Sequence, residues 1–174
     1  EVQYGTSFCY PVSSMGAHVS AVPNHQVNRV TPLYTRANVA FFGAFGYELD
    51  VGRRTEEERS QVREQIAFMK EYREVLQFGD FYRLLSPFEG NITAWMVVSP
   101  DRRTALAGWY RTLNEVNGPF RRMKLRGLDP ALDYTVNGCS VHGGDELMEV
   151  GLLTTDSAAG ECQAGERPTC DFDS

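Results

Sequence analysis

With 174 residues, 42% of them hydrophobic and 23% charged, the chain has the apolar mass for one ordinary domain or parts of two, which excludes a wholly disordered segment. A net charge of -6 and a single basic cluster (Arg121, Arg122, Lys124, Arg126) exclude the concentrated basic face of a nucleic-acid binder, and no apolar run approaches the ~20 residues that span a bilayer. The acidic balance fits a cytoplasmic enzyme acting on neutral small molecules; residue 1 is Glu, so the lack of a visible signal peptide is uninformative.

The first half alternates strand and helix patterns. Residues 15–21, small and containing Val19, form the first expected strand, followed by the polar loop Pro23-Asn24-His25-Gln26. Thr31-Pro32 predicts a helix start, with Thr31 as cap and Pro32 in the first turn. Leu33, Ala37, Ala40 and Phe41 share one side of that helix, and Gly43 is placed to end it. The aromatic run Ala44-Phe45-Gly46-Tyr47-Glu48-Leu49-Asp50 is expected to be a buried strand. Thr55 and Glu58 have the spacing of a capping box, and Val62, Ile66, Met69, Tyr72 and Leu76 then repeat at helical spacing. Strand, helix, strand, helix implies parallel β/α units. Two such units cannot close a barrel of eight strands and roughly 250 residues, so the first half is expected to be the end of something larger.

The second half reads as antiparallel. Residues 93–98 are β-branched and aromatic, Ser99-Pro100-Asp101 turns the chain, and residues 105–110 form the hairpin partner. Asn117-Gly118-Pro119 precedes a strand over residues 120–126, in which Met123 and Leu125 alternate with Arg122, Lys124 and Arg126. Further strands are expected over 132–136 and 147–153, the latter after Gly143-Gly144-Asp145. About five strands are visible where a sandwich has roughly seven or eight. From residue 154 the chain is rich in Ala, Gly, Glu and Asp, and is expected to be poorly ordered.

Cys9, Cys139, Cys162 and Cys170 contain no Cys-x-x-Cys pair, and the three histidines complete no ligand set, so no metal site is expected. Cys162 and Cys170 could close a small loop, but free thiols fit a reducing cytosol better.

Several segments carry a resemblance to a known family. Ser14-Met15-Gly16-Ala17-His18-Val19-Ser20-Ala21-Val22-Pro23-Asn24-His25-Gln26 resembles a stretch of the family 36 glycoside hydrolases, the retaining α-galactosidases. In the same order follow Thr31-Pro32-Leu33, Val39-Ala40-Phe41-Phe42-Gly43, Phe45-Gly46-Tyr47-Glu48-Leu49-Asp50, and the segment from Gln77 to Phe88. Trp95-Met96-Val97-Val98-Ser99 and Gly144-Asp145-Glu146-Leu147-Met148 complete the series.

The resemblance implies a fold that is α/β followed by all-β: the last two β/α units of a (β/α)8 TIM barrel, then an incomplete antiparallel β-sandwich. The domains implied are 1–79 for the barrel end and 80–174 for the sandwich, with the chain starting late in the helix after barrel strand six. The implied activity is hydrolysis of terminal α-galactosyl groups of oligosaccharides such as melibiose and raffinose, without a cofactor, in a bacterial homotetramer. A retaining glycosidase uses two carboxylates roughly 5 Å apart. The family's two aspartates lie on earlier barrel strands, and neither of their motifs occurs here, so no catalytic residue is expected in this chain and the segment alone is expected to be inactive. Val27-Asn28 departs from the family's loop, and Phe172 marks where a closing sandwich strand would begin.

His18, Asn24 and His25 are the candidate substrate-binding residues, since imidazole and amide groups can both donate to and accept from sugar hydroxyls. The plainer expectation is a core histidine at 18, a loop hydrogen bonder at 25 and a turn-stabilising Asn24. Glu48 and Asp50 have the spacing of one strand face at a barrel strand's end, but a catalytic pair comes from different strands, so structural or loop-anchoring use is expected. Trp95 and Trp109 are expected in the core, and the sequon Asn91-Ile92-Thr93 has no meaning in a bacterial cytosol. The alternative function is a non-catalytic carbohydrate-binding or assembly module; no nucleic acid or membrane partner is expected.

Overall fold

The computed structural model describes residues 1–113, 116 and 119–154. The chain divides into two compact units, Val2–Phe78 and one that begins at Gly79.

The first unit opens with helix α1 (Val2–Thr6) and a 3-10 turn (Val12–Ser14), then strand β1 (Gly16–Ser20), helix α2 (Leu33–Ala40), strand β2 (Ala44–Glu48), a second 3-10 turn (Val51–Arg53) and helix α3 (Glu56–Phe78). β1 and β2 run parallel, with Gly16 opposite Ala44, His18 opposite Gly46 and Ser20 opposite Glu48. The expected β/α order is therefore present. Side chains alternate across a strand. Ala17 and Val19 are buried toward the helices, whereas Gly16 and His18 are exposed on the other face.

On the covered face the aromatic side chains form a ladder that joins three elements. Phe41, at the end of α2, stacks on Phe45 of β2 at 5.0 Å and meets Phe68 of α3 at 4.8 Å. Phe45 meets Tyr47 edge-on at 5.2 Å, and the Tyr47 hydroxyl donates to Gln65 of α3 at 2.8 Å. The helical stripe is thus broader than the apolar spacing alone indicated, because buried Gln65 belongs to it.

The Thr55–Glu58 capping box is present: the Glu58 amide donates to the Thr55 hydroxyl at 3.2 Å, and the Thr55 amide to the Glu58 carboxylate at 3.0 Å. The start of α2 departs from expectation. Pro32, with φ -50 and ψ 150, is itself the capping position and makes no side-chain cap. Thr31 lies one residue too far upstream, and its carbonyl is taken by the Arg36 side chain. The helix also ends before Gly43, on a right-handed Phe41. Gly43 serves close approach instead, since a β-carbon there would stand 2.7 Å from the Ala17 side chain. β2 is half-buried rather than buried, because its residues alternate between the helix-covered face and the open one.

The second unit holds the antiparallel sheet β3 (Asp80–Leu85), β4 (Ile92–Val98) and β5 (Ala105–Arg111), with a register shift between Arg83 and Leu85. Two-stranded pairings add β6 (Arg121–Met123) with β9 (Leu152–Thr154), and β7 (Asp133–Val136) with β8 (Ser140–Gly143); helix α4 (Gly144–Glu149) follows β8. β4 is buried throughout. Ile92, Ala94, Met96 and Val98 on one of its faces pack with Trp109, Met123, Leu125, Leu128 and Leu147. Trp95 stands on the other face against Tyr110, at 4.9 Å, so both tryptophans are buried as expected.

Two expected strands are corrected here. The strand over 120–126 shortens to Arg121–Met123, although its alternation continues, with Leu125 buried and Lys124 and Arg126 exposed. Residues 147–153 are not one strand. Asp145 and Glu146 in the first turn favour a helix, which runs to Glu149. Gly151, at φ 84, then donates its amide back to Glu146 at 3.0 Å and ends it. The Gly143-Gly144 pair that read as a turn provides close approach: a β-carbon at Gly144 would stand 2.0 Å from the Asp129 carbonyl. Gln77 to Phe88, which carried no strand assignment of its own, contains β3. The tail, the Cys162–Cys170 loop and Phe172 lie outside the described residues.

Candidate functional site

The open face of the β1–β2 pair is built from Gly16, His18 and Ser20 on one strand and Ala44, Gly46 and Glu48 on the other, as the parallel register requires. Apart from His18 and Glu48 these residues are small. A β-carbon at Gly46 would stand 3.0 Å from His18 Cδ2, and one at Gly16 would stand 3.4 Å from Cε1. The imidazole therefore lies across the strand pair in room that two glycines leave. A glycine inside an aromatic strand is the sequence signal for such an approach. His18 is exposed on this face of the strand pair.

Both edges of the strand pair carry grooves. One of about 580 Å³ is lined by consecutive residues Ser14 to His18, with Gln3 of α1 and Arg36 of α2 among its walls. The other, of about 380 Å³, is lined by consecutive residues Ala44 to Tyr47 and by Met69 and Arg73 of α3. Successive strand residues face opposite sides, so a groove touching all of them runs along a strand edge.

Above the end of β1 the chain forms a loop over residues 21–31, with a cis peptide at Val22–Pro23. Asn24 organises it: its side-chain oxygen accepts from the amides of Gln26 at 3.0 Å and Val27 at 3.1 Å, while its own amide donates to the Arg29 carbonyl at 2.9 Å. The turn-stabilising role expected of Asn24 is present. Asn28, part of the departure from the family's loop, takes a left-handed backbone at φ 52 and donates to the Asn24 carbonyl at 2.8 Å. His25 is exposed near the loop's tip. The fold thus places His18 on the open face, and Asn24 and His25 on the loop that leaves the same strand end.

Glu48 and Asp50 do not share a strand face, because β2 ends at Glu48. Asp50 anchors the following turn. It accepts from the Gly52 amide at 3.0 Å and pairs with Arg53 at 3.1 Å, as loop-anchoring use requires. Glu48 is exposed, and its carbonyl receives the Ala21 amide at 3.2 Å.

Arg36 was not singled out by its sequence context. Its Nη1 donates to the Ser20 carbonyl and its Nε to the Thr31 carbonyl at 3.0 Å. Burial, and then the nearby Arg54, lower its pKa, while Glu58 acts in the opposite direction. Tyr47 sits on the covered side, and burial pushes its ionisation up to about 12.

The second unit carries a hydrogen-bonded row, Ser140–His142–Glu146, with Oγ to Nε2 at 3.0 Å and Nδ1 to the carboxylate at 3.2 Å. It ties β8 to α4. Among the described residues no group of three or more His, Cys, Asp or Glu is placed to hold a metal ion, and no helix is long and apolar enough to cross a membrane. Cys9 and Cys139 are free and exposed.

Comparison with known proteins gives the frame for this geometry. Residues 1–79 match the family model "Melibiase", and residues 92–174 match "Glycosyl hydrolase family 36 C-terminal domain". The chain is 57% identical over 152 residues to alpha-galactosidase AgaA of Geobacillus stearothermophilus, which covers 87% of this chain and 21% of that protein. It is 45% identical to the bifunctional alpha-galactosidase/sucrose kinase AgaSK of Mediterraneibacter gnavus, over 87% of this chain and 16% of the relative. The crystal structure of the Geobacillus GH36 alpha-galactosidase AgaA superposes with a TM-score of 0.86 at 56% identity, covering 88% of this chain and 21% of that one. That of the Lactobacillus brevis alpha-galactosidase does so at 0.85 and 50% identity, with the same shares. The chain therefore spans about a fifth of the length of these relatives. Matched in order by the family's two models and superposing on its solved structures, the chain belongs to glycoside hydrolase family 36.

Proposed function

We propose that residues 1–79 supply the end of the catalytic barrel, and residues 80–174 the C-terminal β-sandwich, of a retaining α-galactosidase that removes terminal α-galactosyl groups from oligosaccharides. The observation that carries this reading is the half-covered parallel strand pair. Parallel sheets are stable with both faces covered, yet β1 and β2 have helices on one face and small residues, His18 and Glu48 on the other. A pair with grooves along both edges is suited to further strands on either side, which would turn its open face into a barrel interior.

Substrate class comes from the relatives. Structures of AgaA variants are described in complex with raffinose and with stachyose. On this reading His18 meets sugar hydroxyls from the barrel interior, and Asn24 and His25 do so from the rim. The attacking carboxylate and the acid/base belong to strands outside this segment. The nucleophile forms the galactosyl ester as the acid protonates the departing oxygen, and water then cleaves that ester. A cytoplasmic homotetramer is the assembly the family resemblance suggests.

The reading is tested on the purified chain with a nitrophenyl α-galactoside. No release of nitrophenol is expected, because no opposed pair of carboxylates is present on the open face. Turnover that co-purifies with the chain through two columns would contradict it.

A further inference from the structure

We infer that Arg36 is a positioning residue that clamps both stems of the 21–31 loop and so sets Asn24 and His25 over the end of β1; its consequence for substrate rests on the function proposed above. Ser20 is the last residue of β1, and Thr31 lies just before α2. Their carbonyls are the two ends of the loop, and one guanidinium donates to both, through Nη1 and Nε. A planar fork of fixed donors can do this, whereas a lysine ammonium is a single point on a flexible stem.

The clamp and the loop's internal bonds are complementary. Asn24 holds residues 24–29 together as a unit through its side chain and amide. Those bonds stay within the unit, whereas Arg36 ties the loop's two stems together and the Ala21 amide ties its first residue to the Glu48 carbonyl of β2 at 3.2 Å. Its own aim is set from α2, one turn from the helix start, where its amide donates to the Pro32 carbonyl at 3.2 Å.

The loop that leaves β2 has anchors of its own. Glu58 of α3 pairs with Arg54 at 3.5 Å and receives the Thr55 amide at 3.0 Å. Arg54 in turn donates to the Asp50 carbonyl at 3.3 Å, and Arg59 to that of Gly52 at 2.9 Å. Each of the two loops is therefore anchored by arginine side chains that donate to backbone carbonyls.

Two measurements test this. The first is tryptic cleavage after Arg29, an exposed residue inside the loop, in the 174-residue chain. The second is kinetics with melibiose in a chimera whose corresponding segment of AgaA is replaced by residues 1–153. R36K and R36M are each expected to raise the cleavage rate about tenfold, and in the chimera to raise KM about fivefold with kcat changed less than about twofold. A residue acting only through its positive charge would be rescued by lysine, so wild-type cleavage and KM in R36K overturn the clamp. If both Arg36 variants fail to fold, exchange of the Arg36 Nε proton in the wild-type chain, followed by NMR, is expected to be about tenfold slower than that of exposed Arg53; equal rates overturn the clamp. Faster cleavage with unaltered KM supports the clamp and overturns the loop's role in substrate binding. An inactive wild-type chimera speaks against the proposed function alone, and the cleavage measurement still decides the clamp.

Discussion

The His18 ring lies on Gly46 of the neighbouring strand, its Cδ2 3.0 Å from where a β-carbon at residue 46 would stand. The two residues are register partners in the parallel pair, so the small size of one sets the room available to the other. Gly46→Ala would force the imidazole to shift by a few tenths of an ångström, and Gly46→Val by more. Overpacking of this kind costs about 1–3 kcal/mol. In a barrel-complete chimera, G46V is expected to raise KM for a galactoside more than it lowers Tm, and H18A is expected to do the same. Loss of stability with unchanged KM would remove His18 from the binding surface.

Thr55 and Glu58 satisfy each other's amides at the start of the 23-residue helix α3. Thr55→Ala removes the cap and is expected to cost about 1 kcal/mol. Because both bonds belong to one motif, T55A and E58A together are expected to cost less than their sum. Urea unfolding of the two single variants and the double variant measures this.

Tyr47 predicts a pH dependence. Its ionisation is raised by burial from 10.0 to about 12 in the folded chain. The folded state therefore favours the neutral phenol. The resulting stability is fully present below pH 10.0 and is lost as pH rises through about 12. Y47F removes the group that titrates, and its bond to Gln65, so it is expected to be less stable at neutral pH but to lose less between those two values. Thermal melts at several alkaline pH values check this; parallel curves for the two proteins would contradict it.

Much of this was legible in the sequence, for a definable reason. Local chemistry that closes within a few residues, such as the Thr55–Glu58 box, the Asn24 turn and the Ser99-Pro100-Asp101 turn, can be read because both partners are close in the chain. In the last, the Ser99 hydroxyl meets Asp101 at 2.6 Å and the Thr104 amide at 3.0 Å. What stayed hidden depends on partners far apart. Arg36 acts across 16 residues to Ser20, and nothing beside it marks that reach. Helix α4 is hidden in the sequence because the Gly143-Gly144 pair looks like a turn, while its function, letting the backbone approach Asp129, exists only in the fold. The placement of His18 follows from strand alternation: Ala17 and Val19 are buried on one side, and His18 faces the other.

In the second unit, the Tyr134 hydroxyl accepts from the Asp129 amide at 2.8 Å and donates to the Arg102 carbonyl at 2.6 Å. Arg102 is in a left-handed turn at φ 57, so this bond secures the end of the β4–β5 hairpin. Y134F is expected to cost about 1–2 kcal/mol by leaving the amide and carbonyl without that hydroxyl. Gly144→Ala is expected to cost more, since its β-carbon would meet backbone rather than a movable side chain. Chemical denaturation of both variants would rank them, and the reverse order would contradict the packing described for α4.

The central claim is that these residues complete an α-galactosidase barrel, and hydrolysis of a nitrophenyl α-galactoside by the AgaA chimera carrying residues 1–153 tests it most directly. Activity within about tenfold of the parent relative is the predicted result, since a segment that rebuilds the last strands leaves the reacting carboxylates in place. A folded chimera with no turnover, set beside an active parent, would contradict the claim.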